Sequence, residues 1–119
     1  MPFSMTVDHR PDLLVVQATG IASLGDLCGL FDFVRVTAER NGHLRALLDL
    51  RAVDNDLRFT DHLALGAHAA DELQNMERVA SVVDPKYRVG TSEKAAQKMG
   101  LTFKTFTDLV EAQSWVMGR

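Results

Sequence analysis

The chain has almost no cysteine, the residue that holds many small domains together through disulfides or zinc. Its 119 residues include a single cysteine, Cys28. One cysteine cannot form an internal disulfide or a cysteine-rich zinc site, so neither is expected to hold the fold. The composition therefore fits a reducing compartment, and we expect a cytoplasmic protein.

Long apolar runs are also missing. The opening stretch MPFSMTVDHRPD has no apolar core of the signal-peptide type. The longest uninterrupted apolar runs are far too short to cross a bilayer, so no transmembrane segment is expected. The length and the absence of a linker or internal repeat predict one domain over residues 1–119.

A strong excess of charge is absent as well. The net charge of −3 argues against a broad nucleic-acid-binding surface. The glycine motifs that bind phosphates are missing, since TGIASLGD lacks G-x-G-x-x-G and no G-x-x-x-x-G-K-[ST] occurs. Neither standard kind of nucleotide site is expected, and no cofactor is predicted.

The stretch Leu44–Leu50, LRALLDL, organises what is present. Such a short apolar run is typical of a central parallel strand buried on both faces. Further strands are predicted at Met5–Val7, Leu13–Ala18, Glu77–Val83 and Thr102–Phe106. Helices are predicted from a Ser23 N-cap with Asp26 to about Asn41, from Thr60 or Asp61 to about Asn75, from Thr91 or Ser92 to Met99, and after Thr107 or Asp108.

The predicted order is β-β-α-β-α-β-α-β-α. After the opening hairpin, this regular alternation predicts an α/β fold with a mostly parallel five-stranded sheet and an antiparallel N-terminal edge strand. The first helix is expected to bury Leu24, Leu27, Phe31, Val34 and Ala38, and the second Leu63, Gly66, Ala67, Ala69, Ala70 and Leu73.

This element order, with the pieces LRALLDL, ERVASVV and TDLVEAQSWV, resembles the SpoIIAA-like branch of the STAS superfamily. The last helix of that branch carries an acidic–Ala–Trp ending, which Glu111, Ala112 and Trp115 resemble. The resemblance covers nearly the whole chain and implies the SpoIIAA-like fold.

The same resemblance bears on regulation. Anti-sigma-factor antagonists of this superfamily carry a phosphorylatable serine just after the central strand, in a pattern like Asp-Ser-Ser-Gly. Here the region reads RAVDNDLRFTDHL, and Thr60 is its only hydroxyl. We expect Thr60 to serve as an N-cap rather than as a phosphorylation site. The resemblance therefore supports the fold more strongly than a phosphorylation switch.

A candidate ligand site lies beyond the carboxyl ends of the parallel strands, where such sheets bind ligands. In DPKYRVGTS, two cations precede a helix start whose free N–H groups are able to hold an anion. The candidate residues are Arg51, Arg58, Lys86, Arg88, Thr91 and Ser92. Alternatively, these are solvated charges and helix caps, and the acids Asp54, Asp56 and Asp84 at this end would oppose an anion.

Metal and catalytic sites are not predicted. His62 and His68 lie six residues apart on the second helix, about 120° apart around its axis, so they cannot form an i, i+4 metal pair. Cys28 has no visible base, and no G-x-S-x-G elbow occurs. No catalytic residue is therefore assigned.

A candidate interaction surface lies on the first helix. Gly29, Phe33 and Val36 recur on the side away from the predicted buried stripe. Apolar positions of this kind mark a surface for a protein partner or a second copy, unless a neighbouring helix covers them.

Three functions are therefore considered. The first is a non-catalytic regulatory or binding module that acts through a protein partner or as a homodimer. The second is a carrier or sensor of a small anionic or lipidic ligand bound at the carboxyl end of the sheet. An enzyme is the least favoured, because no titratable groups visibly assemble into catalytic roles.

Overall fold

Five strands form one sheet in the computed structural model, which describes residues 1–88 and 90–118. The strands lie side by side in chain order. The first pair is antiparallel and every other pair is parallel. The predicted sheet is therefore confirmed. The strands are β1 (Ser4–Arg10), β2 (Leu13–Ile21), β3 (Arg45–Asp54), β4 (Arg78–Val83) and β5 (Phe103–Phe106).

Four helices cover the two faces of this sheet unequally. They are α1 (Leu24–Asn41), α2 (Phe59–Glu72), α3 (Thr91–Lys98) and α4 (Leu109–Val116), with an unpredicted 3₁₀ turn at Pro85–Tyr87. The larger buried cluster joins one face of the sheet to α1, α2 and α3. The smaller cluster joins the other face to α4. We call these the three-helix face and the α4 face.

The central strand is longer than predicted. β3 continues past Leu50, where the predicted strand ended, to Asp54. Its last residues pair with the end of β2, from Thr19 opposite Ala52 onward, and Val53 is buried. The prediction was wrong here because a register shift in the β2–β3 pairing interrupts the alternation of side chains and leaves Val53 as the one buried residue of the segment.

Helix starts were predicted well for α1 and less well for α2 and α3. The Ser23 hydroxyl accepts a hydrogen bond from the Asp26 N–H, and the Asp26 carboxylate accepts one from the Ser23 N–H. By contrast, α2 begins at Phe59, with Arg58 as its N-cap. Thr60 therefore lies within the first turn and is not the cap. Gly90, rather than Thr91 or Ser92, is the N-cap of α3.

The buried side of α2 is rotated relative to the prediction. Its buried residues are Leu65, Gly66, Ala69 and Ala70, followed by Leu73. Leu63, which was predicted to face inward, is 42% exposed. The reason is that α2 contacts α1 on one side and α3 on the other, so its buried arc is centred between those two neighbours.

Gly66 fixes the spacing between α2 and α3. A Cβ atom built on Gly66 would clash with the Ser92 carbonyl oxygen and lie 2.7 Å from the Ala95 Cβ. Contacts this short are not tolerated, so glycine is the residue that fits at this crossing. This close approach brings the start of α3 against α2, beside the cavity described below.

Candidate functional site

Arg51 lies on the α4 face, away from the other predicted anion ligands. Asp49 and Arg51 point to the same face of β3 because they are two residues apart, and both border a groove with Leu109 of α4. The guanidinium donates hydrogen bonds of 2.9 and 2.8 Å to the Asp49 carboxylate. These bonds outweigh burial and hold the pKa of Asp49 below its ordinary value. Arg51 therefore has a structural partner.

The other three predicted cations lie near the carboxyl end of the sheet but contact different groups. Arg58 is exposed at the start of α2. The Lys86 Nζ atom lies 3.8 Å from the Asp54 carboxylate. Arg88 donates a hydrogen bond of 3.0 Å to the backbone carbonyl of Thr105. The structure thus does not bring the predicted cations together around one anion-sized space.

Thr91 and Ser92, the predicted anion ligands beside these cations, lie in the first turn of α3. The Ser92 hydroxyl oxygen lies 3.4 Å from Nδ1 of His62 on α2. This contact joins the starts of two neighbouring helices. Of the six predicted ligand residues, Ser92 is the one that borders the enclosed cavity at this end of the sheet.

That cavity has a volume of about 80 Å³. It lies on the three-helix face, where α1 and α2 cover the carboxyl ends of β3 and β4. It is well below the roughly 300–1,000 Å³ of a site for a drug-sized ligand. It therefore fits a small apolar molecule or the end of a longer apolar chain. Its apolar wall comes from α1, α2, β3, β5 and the loop before α2, with Leu27, Phe31, Leu50, Leu57, Leu65 and Phe103.

Polar side chains lie along one part of this cavity. The Ser81 hydroxyl donates a hydrogen bond of 3.1 Å to the Thr105 hydroxyl. The Glu93 carboxylate accepts the Thr105 N–H. Most of these groups are already paired within the protein, so the cavity offers a largely apolar environment. Sequence reasoning missed Ser81 and Thr105 because each looked like an ordinary strand residue.

Tyr87 lies at the same end of the sheet. Its hydroxyl donates a hydrogen bond of 2.9 Å to the Asp54 carboxylate. That bond, with a smaller contribution from burial, raises the pKa of the Tyr87 phenol. The phenol is therefore held in its neutral, donating form, and it ties the 3₁₀ turn to the end of β3.

The predicted surface on α1 is only partly exposed. Gly29 and Val36 are exposed, with Val36 at 42%. Phe33 is half-buried and packs against the larger core cluster. The exposed part of the predicted surface is therefore centred on Val36.

Cys28 lies half-buried on α1, next to the same core cluster. Burial, and then the charge of Asp32, raise the pKa of its thiol. A raised pKa keeps the sulfur protonated at neutral pH, which is the opposite of what a catalytic thiolate needs. Cys28 therefore behaves as the small apolar residue that the sequence predicted.

The first turn of α2 exposes an apolar pair that sequence reasoning missed. Phe59 is 66% exposed and Leu63 is 42% exposed. Residues four apart share one side of a helix, so the two side chains form one patch. Thr60 is exposed beside them. The signal was hidden because Leu63 also fitted the buried stripe that the spacing predicted. We call Phe59 and Leu63 the α2 patch.

The chain matches a known protein family over most of its length. The SpoIIAA-like family model matches residues 13–117. The chain belongs to the SpoIIAA-like family. The match runs from β2 to the end of α4, so it includes both faces of the sheet, the cavity and the α2 patch. The resemblance that the sequence indicated is thereby confirmed.

Two solved structures share this SpoIIAA-like fold. One is an uncharacterized protein of the DUF3478 family from Shewanella loihica PV-4, with 22% identity and a TM-score of 0.57 over 96% of this chain and 93% of that one. The other is an anti-sigma factor antagonist from Mycobacterium paratuberculosis, with 15% identity and a TM-score of 0.66 over 98% of this chain and 95% of that one. A search of curated proteins found no match.

Among the residues that the structure describes, no helix is both long enough and apolar enough to pass through a bilayer.

Proposed function

We propose that this SpoIIAA-like protein is a non-catalytic regulatory module that binds a protein partner through the α2 patch. The observation that carries the proposal is the exposure of Phe59 and Leu63 at the start of α2. Large apolar side chains grouped on a surface are stabilised when a partner removes them from water. Aromatic residues such as Phe59 are also typical anchors of protein interfaces.

The position of the patch adds to this argument. In the anti-sigma-factor antagonists that the chain resembles, the regulatory serine lies at the start of the helix after the central strand. Here that helix is α2, and Thr60 occupies its first turn with an exposed side chain. A phosphate on Thr60 would stand at a helix N-terminus beside Arg58, where negative charge is favoured. Partner binding through the α2 patch does not require phosphorylation of Thr60, which the sequence did not favour.

Capture of the partner from the native cells tests the proposal. A tagged wild-type chain is compared with Phe59→Ser/Leu63→Ser and with Val110→Ser, and bound proteins are quantified by mass spectrometry. Val110 is a matched control because it is 71% exposed on α4, on the other face of the sheet. We expect one protein, or the chain itself, to be lost with the double variant and retained with the control. Equal capture by all three chains would contradict the proposal.

A second candidate function is the binding of a small lipidic ligand in the cavity. The observation that favours it is the mainly apolar wall of the cavity at the carboxyl end of the sheet. The anionic alternative has less support, because Arg51, Lys86 and Arg88 already contact protein oxygens. A lipidic ligand would place apolar carbons against α1 and α2.

Thermal unfolding with fatty acids of increasing chain length tests this second function. A ligand at 100 times its dissociation constant adds about 2.7 kcal/mol, which corresponds to a rise in the unfolding temperature of about 10 °C for a domain of this size. Leu57→Trp, at a half-buried position on the cavity wall, should abolish the rise. Leu44→Trp, at a 55% exposed position, is the control. A rise that Leu57→Trp leaves unchanged would place the ligand elsewhere.

A further inference from the structure

Three potential metal ligands meet where α1 packs against α2. Asp32 lies on α1, and His68 and Glu72 lie one turn apart on α2. Nε2 of His68 is 2.6 Å from Oδ1 of Asp32 and 3.9 Å from Oε1 of Glu72. One ligand atom from each residue lies within 4.8 Å of the other two, and all three residues are half-buried.

We propose that Asp32, His68 and Glu72 bind a divalent transition-metal ion such as Zn²⁺. Imidazole nitrogen and carboxylate oxygen are ordinary zinc ligands, at about 2.0–2.2 Å from the ion. His68 and Glu72 have the i, i+4 spacing that puts two ligands on one side of a helix. Three protein ligands leave one position for water or for a group from another molecule. This inference is independent of the proposed function.

The ligand atoms need only small movements to hold the ion. Two ligands of a tetrahedral zinc ion are about 3.4 Å apart. The His68–Asp32 contact of 2.6 Å must therefore widen, and the His68–Glu72 contact of 3.9 Å must close slightly. Rotation of partly exposed carboxylate side chains supplies both changes. The ion would take the place of the hydrogen between the His68 ring and Asp32, with the ring proton on Nδ1.

Arg35 both supports and limits the proposed site. Its Nε atom lies 2.5 Å from Oε2 of Glu72, and the other carboxylate oxygen, Oε1, lies nearer to His68. An outer partner of this kind orients a ligating carboxylate. The guanidinium charge also repels a cation, but two carboxylates and one guanidinium leave the cluster with one net negative charge. The expected affinity is therefore lower than that of a site without a neighbouring cation.

Titration with ZnCl₂ tests the proposal on the wild type, His68→Ala, Glu72→Gln and His43→Ala, by calorimetry and thermal unfolding. His43 is the matched control because its Nε2 lies 3.1 Å from Nδ1 of His9, and this pair of imidazoles is the alternative zinc site that the experiment must separate from the proposed one. We expect one zinc ion per chain for the wild type and for His43→Ala. The affinity should fall at least tenfold in His68→Ala and in Glu72→Gln.

Two results would overturn the proposal. One is an absence of zinc binding by the folded wild type. The other is binding that His43→Ala abolishes and His68→Ala retains. Asp32→Asn keeps the side-chain shape and guards against unfolding of His68→Ala. With Co²⁺ in place of zinc, the visible absorption of the wild type should be lost or shifted in Asp32→Asn, and an unchanged spectrum would remove Asp32 from the site.

Discussion

The two faces of the sheet differ in how they are covered and in what they carry. The three-helix face holds the cavity, the α2 patch and the proposed metal ligands. The α4 face has one helix, which contacts β3, β4 and β5, while every residue of β1 is exposed. On that face the Asp49–Arg51 pair covers the sheet beside α4. The candidate functional features therefore lie on the three-helix face, whereas the Asp49–Arg51 contact on the α4 face stabilises the fold.

Gly66→Ala should produce the largest loss of stability, because the three-helix face depends on the close contact of α2 with α3. The new methyl group would clash with the Ser92 carbonyl and with Ala95. The clashing atoms are a backbone oxygen and a Cβ atom, which move only with their helix. We therefore expect a cost at the upper end of the roughly 1–3 kcal/mol typical of overpacking or above it, and a net loss of about 2 kcal/mol or more after the gain of about 1 kcal/mol from replacing glycine in a helix. Urea unfolding measures the difference.

Gly29→Ala is the matched control for that variant. Gly29 is also helical, and a Cβ built on it has no atom within 4 Å. We expect Gly29→Ala to stabilise the protein by up to about 1 kcal/mol. Equal effects at the two positions would show that helix propensity, rather than the α2–α3 contact, governs Gly66.

Asp49→Asn tests the α4 face and should cost about 1–2 kcal/mol, because it weakens hydrogen bonds to a carboxylate that is only 7% exposed. Asp8→Asn is a matched control, since Asp8 and Arg10 form the same i, i+2 pair on β1 with side chains 61% and 46% exposed. The control should cost less than about 0.5 kcal/mol. A cost at Asp8 as large as that at Asp49 would contradict the assigned role of burial.

The same pair predicts a pH dependence. Because the pKa of Asp49 is lower in the folded chain, the pair stabilises the protein fully above the ordinary carboxyl pKa of about 3.9. That contribution is lost as the pH falls through the lower, folded-state pKa. Wild-type stability should therefore decline more steeply below about pH 4 than the stability of Asp49→Asn. Parallel urea midpoints for the two chains between pH 5 and pH 2 would count against this.

Val36→Ser should have the smallest effect on the three-helix face. Val36 is 42% exposed, and substitutions at such surface positions usually change stability by less than about 0.5 kcal/mol. Phe33→Ser should cost more, because Phe33 packs against the core. If Val36→Ser costs as much as Phe33→Ser in urea unfolding, then α1 is covered at Val36 and the predicted interaction surface there fails.

The sequence predicted the order of elements and the character of the sheet because these depend on local apolar patterns. The run Leu44–Leu50 lies within the central strand β3, and Ser23 and Asp26 form the predicted cap of α1. Element boundaries were harder where two patterns compete. The end of β3 lacks a regular alternation because the pairing with β2 shifts register there. Leu63 fitted the predicted buried stripe of α2, but contacts with α1 and α3 place the buried arc elsewhere.

The candidate site was less predictable because it depends on contacts between elements. The spacing of His62 and His68 excluded a pair of histidine ligands within α2, and no spacing rule links His68 to Asp32, 36 residues away. The cations Arg51, Arg58, Lys86 and Arg88 were grouped by their position at strand ends. Side chains alternate between the two faces of a strand, however, and this alternation places Arg51 on the α4 face. The face on which Arg51 lies depends on the exact register of β3.

Site-specific photo-cross-linking in the native cells shows whether a partner meets the α2 patch on the three-helix face. A photoreactive phenylalanine analogue replaces Phe59 in one chain and Val110 in another, both at highly exposed positions on opposite faces. We expect a discrete cross-linked adduct from position 59, whose mass identifies a partner or a second copy, and none from position 110. An adduct from position 110 alone, or from neither position, would rule out the α2 patch as the partner-binding surface.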